Sequence, residues 1–427
     1  MLDAEGTYIK TLGREGQGRG TARTTVQTIG FLLAAVVLAS AACSSQAELE
    51  FADWTFDVPE GTPVHGYPER PSDGDRAGAV SLTEDLVIGN DPDDPEASLY
   101  RPADVTTAPD GTIFIADGGA HHIKVFNPDG TWRQTLGKEG QGPGEFTGLR
   151  HITVASDLLV AFDTRNRRYS LWTLAGEHVA DHNPEVTRSL SSLYGLADGT
   201  LVWTYFAYDP DRSTARQVAV HSTSAGEELD VLIEGPGVPT REVFPADPVA
   251  TLQAMLDRLE DPQLVLAVGR DGAVYFSSAE AYQVLSMSKD GAPQWALRRA
   301  GAPPSMPENA KQTLVAWILE VVGVDVGIDE LSWPERIPAI FDLRVDGAGR
   351  LFVFRASAEM GLVPAEMGFA PSESWPVDVY GSDGAYLASG NVPAPWDHAR
   401  DAFVYATTSD ANDEPVVVRY RLTVNAR

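Results

Sequence analysis

The side chains able to do chemistry in this sequence are sparse and scattered. Eight histidines are spread along the chain, and only His121 and His122 are adjacent. Neighbours on a strand point to opposite faces, so these two suit a surface turn better than a shared metal. Arg165-Asn166-Arg167-Arg168 and Arg298-Arg299 stand out in a chain with 61 acids against 32 bases, a formal charge of −29. A guanidinium offers a forked pair of donors to a carboxylate or other anion. Arg165, Arg167 and Arg168 are therefore candidate ligand-binding residues, with pairing to neighbouring acids as the competing use. Trp317 and Trp333 fall in an irregular stretch, where aromatic rings can cap a channel or anchor a helix. The acidic balance excludes a nucleic-acid partner, whose phosphates it would repel. Cys43, the single cysteine, excludes an intrachain disulfide and a thiolate metal cluster. No nucleophile elbow, P-loop, dinucleotide fingerprint or zinc-binding helix motif is present. Gly137-x-x-Gly140-x-Gly142 follows a strand but opens no helix, so it is a connection and not a phosphate cradle.

The elements that would position these side chains are short strands. Between Arg101 and Phe146 four apolar runs occur: Ala103–Thr107, Thr112–Ala116, His122–Phe126 and Trp132–Leu136. Pro109-Asp110-Gly111 and Pro128-Asp129-Gly130 separate the outer pairs. Asp-Gly supplies the positive φ of a tight hairpin, so the stretch reads as one four-stranded meander, the size of a propeller blade. Weaker copies follow over Leu149–His182, Ser192–Ile233, Gln263–Arg299 and Ile340–Asn391. Ala402–Thr407 and Pro415–Val424 form a partial sixth, to be completed by N-terminal strands. Two insertions break the rhythm, at 235–262 and 301–338. Apolar residues at helical spacing predict helices at Pro248–Glu260 and Glu308–Val322. The long loop Ser357–Ser374 interrupts the fifth copy.

The N-terminus is organised differently. The run Ile29–Ala39 is uncharged and apolar, preceded by Arg14, Arg19 and Arg23. It is too short to span a bilayer comfortably and suits a signal peptide. Small residues and then Cys43 follow, with Leu38 upstream, and this resembles a bacterial lipobox, which implies lipidation at Cys43. Cleavage at Ala39-x-Ala41 with simple secretion is the alternative. Glu5–Gly20 nearly repeats Asp129–Gly144, so a copy of a blade's outer strand precedes the export signal and is not expected to pack in the exported fold. The expected organisation is a leader and signal peptide over 1–42, a linker with an edge strand (Trp54, Phe56, Val58) over 43–78, and the propeller over 79–427. Ala79–Gly89 is expected to close the ring.

In the first repeat Pro102, Asp110, Gly111, Ile113, Phe114, Asp117, Ile123, Phe126, Gly130, Gly137, Gly140, Gly142 and Phe146 match a pattern. It resembles the NHL repeat, whose copies build six-bladed β-propellers, many of them bacterial exported proteins. Asn166-x-Arg168 restores the repeat's Asn-x-Arg, where the first copy has Ala120-His121-His122. The resemblance implies an all-β, six-bladed β-propeller with two short helical insertions. Related propellers suggest two metal sites: zinc held by histidines from several blades, for which His65, His151, His221 and His398 are the set to test, or calcium held by axial acids such as Asp104 and Asp342.

These readings lead to an exported protein, anchored by its lipid at the outer membrane or the periplasmic face, or secreted. It is expected to be a monomer without a cofactor or catalytic residues, a scaffold for a peptide, glycan or protein partner. The alternative is a metal-dependent lyase or lactonase using calcium or zinc in the channel. That alternative requires three or more His, Asp or Glu side chains to converge on the axis.

Overall fold

The computed structural model describes residues 51–68, 78–89, 94–183, 190–239, 248–356, 362–365, 368–371, 374–393 and 395–425. Cys43 and the leader and signal segment 1–42 lie outside the described residues, as does most of the loop 357–374. The fold is a six-bladed β-propeller. Blade one is the antiparallel meander Pro102–Thr107, Ile113–Asp117, His122–Phe126 and Trp132–Leu136. Blade two runs from Leu149 to His182, blade three from Leu190 to Glu234, blade four from Val265 to Arg299, and blade five from Ile340 to Val392.

Blade six is composite. Its inner three strands are His398–Arg400, Phe403–Ser409 and Pro415–Asn425, and its outermost strand is β2 (Gly78–Ile88), paired antiparallel with Pro415–Asn425. An N-terminal strand thus closes the ring against the C-terminal one, as expected, and hides edges that would otherwise invite pairing. The short inner strand His398–Arg400 carries too little apolar pattern to be read from sequence.

The blade count is visible in the core. Six apolar clusters each join two successive blades, the last joining blade six to blade one through Tyr405, Val417, Val105 and Ile113. A strand inside such a stack is covered on both faces, which is why Ile113–Asp117 is buried at every position. Alternation therefore fades in the inner strands, and the Asp-Gly turns become the stronger sequence signal.

The segment before β2 departs from expectation. Trp54, Phe56 and Val58 form no strand. They pack, partly buried, on the cluster between blades three and four, while Thr55 donates its N–H to Gln283 Oε1 at 2.9 Å. The strand forms later, as β1 (Val64–Tyr67), parallel to Ala296–Arg299 on the outer edge of blade four. Tyr67 then donates to Gly384 O at 2.7 Å on blade five. Alternating aromatics here mark contact with a groove, because the outer strand of blade four already supplies the free backbone edge further along.

The two predicted helices are present. α1 (Pro248–Asp257) continues as a 3-10 turn over Arg258–Glu260. α2 (Glu308–Trp317) runs into a π turn, Ile318–Val322, ended by Gly323 at φ 72°. Leu256, Leu259, Leu314, Trp317 and Ile337 form a shared core, and Gln253 exchanges two hydrogen bonds of 2.9 Å with the backbone of Ser332. In a four-stranded meander, the connection leading into each inner strand and the turn between the second and third strands lie at the same end. Both insertions lead into inner strands, and the 357–374 loop joins a second strand to a third. All three therefore emerge on one side of the disc, here termed the upper face.

Candidate functional site

The innermost strands meet around a narrow channel of about 100 Å³ lined by residues of all six blades. A β-bulge near the start of the inner strand in blades one, two, three and five brings Asp104, His151, Ser192 and Asp342 to the same register position. Bulges increase local twist and re-aim side chains. The recurrence of Asp104 and Asp342 suspected from sequence is thus real.

The acids around the channel are held by backbone N–H groups, a hydroxyl and one arginine. Asp104 accepts the N–H of Val105 at 2.8 Å and of Ile152 at 2.9 Å, and lies 4.0 Å from His151 Nδ1. Asp342 accepts the Leu343 N–H at 2.8 Å and pairs with Arg344 at 2.9 Å. Asp397 accepts from the backbone N–H and hydroxyl of Thr407 at 2.7 and 2.8 Å. Asp104 and Asp342 keep only 18% and 19% of their side-chain surface open, and Asp104 lines the narrow channel. Burial therefore raises the pKa of all three acids, that of Asp104 to about 8, with Asp397 adding to it. Burial, then Arg150, lowers His151 to about 4. Burial, with Arg270 and Arg400, lowers His398 to about 3, and its Nε2 shares a 2.8 Å hydrogen bond with Thr107 Oγ1.

Neither metal arrangement fits. Among the described residues no group of three or more His, Cys, Asp or Glu side chains is placed to hold a metal ion. Of the zinc set, His65 sits on the outer rim against Trp295, 6.0 Å between ring centroids. His221 is buried in the third strand of blade three against Thr200. Asp342 is committed to Arg344.

Beside the channel mouth, on the upper face, lies a wider cleft of about 640 Å³ over blades one, two and six. Its walls come from the connections into the inner strands and from the turns Gly118–His121 and Thr164–Arg165. Arg101, Arg150 and Arg165 line it, with Tyr100, His121 and Asp397. Buried carboxylates at the end of each second strand hold these loops. Asp117 accepts the N–H groups of Tyr100 and Arg101, both at 2.8 Å. Asp163 does the same for Thr147 at 2.7 Å and Arg165 at 2.9 Å. The Asp of the repeat motif is thus a clamp between strands and connecting loop. Gly118 and Gly148 are needed where the loops touch, since a Cβ on Gly118 would lie 2.6 Å from Leu149 O.

Of the residues expected to bind ligand, the structure brings only Arg165 to this cleft. Arg168 donates to the carbonyls of Gln141 at 3.0 Å, Gly142 at 2.5 Å and Glu145, and lies 3.6 Å from Asp181. It fastens the glycine-rich connection. Arg167 is exposed at φ 54°, at the turn position that His121 holds at φ 57° in blade one. Trp317 is buried in the helical cap, and Trp333 donates its indole N–H to Ile328 O at 2.8 Å. Both are anchors of the cap and not ligand platforms. Tyr100, Arg101, Arg150 and Asp397 were missed because they are scattered over three distant segments with no shared motif; their common signal is position just before, or at the start of, an inner strand.

A six-bladed propeller with a polar cleft on its upper face is the class of protein so defined. Residues 100–235 match the family described as 6-bladed beta-propeller, DUF5128. A comparison with curated protein sequences gave no match. Among solved structures, the chain is similar to a member of the DUF4221 family from Bacteroides vulgatus, at 10% identity and TM-score 0.46, covering 82% of this chain and 99% of that one. It is similar to a gluconolactonase, XC5397 of Xanthomonas campestris, at 14% identity and TM-score 0.37, covering 82% and 98%. It is also similar to regucalcin, a calcium-binding protein of Agrobacterium tumefaciens, at 11% identity and TM-score 0.41, covering 86% and 97%. None of these similarities assigns a reaction to this chain.

Proposed function

We propose that this protein is an exported, lipid-anchored propeller that works as a binding scaffold at the cell envelope, taking a peptide, glycan or protein partner on its upper face. One observation carries the reading: the cleft opens on the face where all three insertions leave their blades, while the acids of the channel are held by backbone N–H groups, the Thr407 hydroxyl and Arg344. Surface loops on a rigid scaffold are where binding residues concentrate. Export and the anchor rest on the apolar run Ile29–Ala39 and Cys43. A metal-dependent lyase or lactonase lacks its ligand set among the described residues.

A photo-crosslinking amino acid at Thr164 on the cleft rim, compared with one at Asp290 in the opposite turn of blade four, tests the binding face in cell-envelope preparations. Crosslinks from position 164 alone are expected; equal yields from both positions, or none, would overturn the reading. Cys43→Ser is expected to move the protein from the membrane fraction to the soluble one. A wild-type protein already soluble would remove the anchor and leave the secreted form.

A further inference from the structure

We propose that the cleft binds an acidic oligosaccharide, with carboxylated sugar units held by Arg101, Arg150 and Arg165 and one ring stacked on Tyr100. This deepens the binding reading above and rests on it. The cleft, about 640 Å³, lies within the span of ligand sites, roughly 300–1,000 Å³. Three arginines converge there in a chain whose formal charge is −29. Their backbones are fixed by the Asp117 and Asp163 clamps and by the inner strand of blade two, so the guanidinium stems start from rigid points. Each arginine also has a partner within the chain. A guanidinium carries five N–H donors, so a ligand carboxylate can share it.

Two features favour a saccharide over an acidic peptide. Tyr100 is 67% exposed, the most open of the large apolar side chains among the described residues, and it borders the cleft next to Arg101. A bare aromatic face suits the C–H face of a sugar ring. The walls also carry hydroxyls, Thr147, Thr164 and Thr407, in place of the free strand edge or apolar side pockets by which extended peptides are held. Asp397 is the one carboxylate among the lining residues, and its Oδ2 is turned to Thr407.

Calorimetric titration of the exported protein with hexagalacturonate, maltohexaose and hexaglutamate tests this. Hexagalacturonate is expected to bind about tenfold or more tightly than the other two, and more weakly as NaCl rises from about 50 to about 300 mM. Arg150→Ala/Arg165→Ala should weaken it about tenfold. The exposed Tyr100→Ala should weaken it about threefold with an unchanged melting temperature. Equal binding of maltohexaose would overturn the acidic class. Hexaglutamate bound as tightly, with no effect of Tyr100→Ala, would overturn the saccharide. No binding of hexagalacturonate, with crosslinking at position 164 intact, would overturn this inference and leave the binding scaffold standing. Loss of both would overturn the two together.

Discussion

Asp378 is the residue on which blades four and five are locked together. It is fully buried, accepts from Arg299 at 2.9 Å and the Tyr282 hydroxyl at 2.8 Å, and forms an ion pair with Arg355 at 3.0 Å. Asp378→Ala leaves the buried Arg299 guanidinium without its carboxylate, and breaking such a pair costs about 3–5 kcal/mol. Denaturant unfolding should show that loss, and a change under about 1 kcal/mol would mean the pair is dispensable. Asp104 acts in the opposite sense. Burial raises its pKa to about 8 from an ordinary value of 3.8, so the folded state holds the proton more tightly than the unfolded one. Its contribution to stability is complete below about pH 4 and is lost as the pH rises through about 8. Asp104→Asn should therefore flatten the fall in stability between those pH values, and identical pH profiles for the two proteins would refute it. Neither role could be read from sequence. Asp378 lies within an ordinary apolar strand, and its partners Arg299 and Arg355 come from a different blade and a different strand. Asp104 and Asp342 stand in similar inner strands, but only the bulged register shows that they share one position.

At the scale of elements, the strap formed by Phe51–Tyr67 covers the outer edge of blade four, and β2, the outermost strand of blade six, also pairs with the outer strand of blade five. Removing residues 1–68 would leave the outer edge of Ala296–Arg299 unpaired, its inner edge still held by Gln283–Ser288. Exposed edges template association, so light scattering should show self-association together with a lower melting temperature. A monomer of unchanged melting temperature would show the strap to be passive. The helices α1 and α2 were legible because their apolar stripes recur at 3.6-residue spacing, and the meanders because Asp-Gly marks their turns. The strap was not legible in place. Aromatic alternation at Trp54, Phe56 and Val58 signals one buried face, and a groove between blades satisfies that as well as a sheet does.

Over the whole molecule, 61 acids against 32 bases leave a formal charge of −29, and a compact chain so charged repels itself. The melting temperature should rise as NaCl goes from about 20 to about 300 mM, since salt shortens the reach of that repulsion. A flat response would mean that the carboxylates are already neutralised in pairs. Turn chemistry and repeat spacing are local properties, and for that reason the sequence alone determined the blade as a unit, the ring of blades, and the helical character of the two insertions. Which side chains share a site is a property of distances across blades. Tyr100 with Arg101, Arg150, Arg165 and Asp397 come from four separate segments around the ring, and only closing that ring through β2 sets them around one cleft. Arg168 is likewise bound by the glycine-rich connection and Trp317 is buried in the cap, because arginine and tryptophan take whichever partner the tertiary fold places within reach.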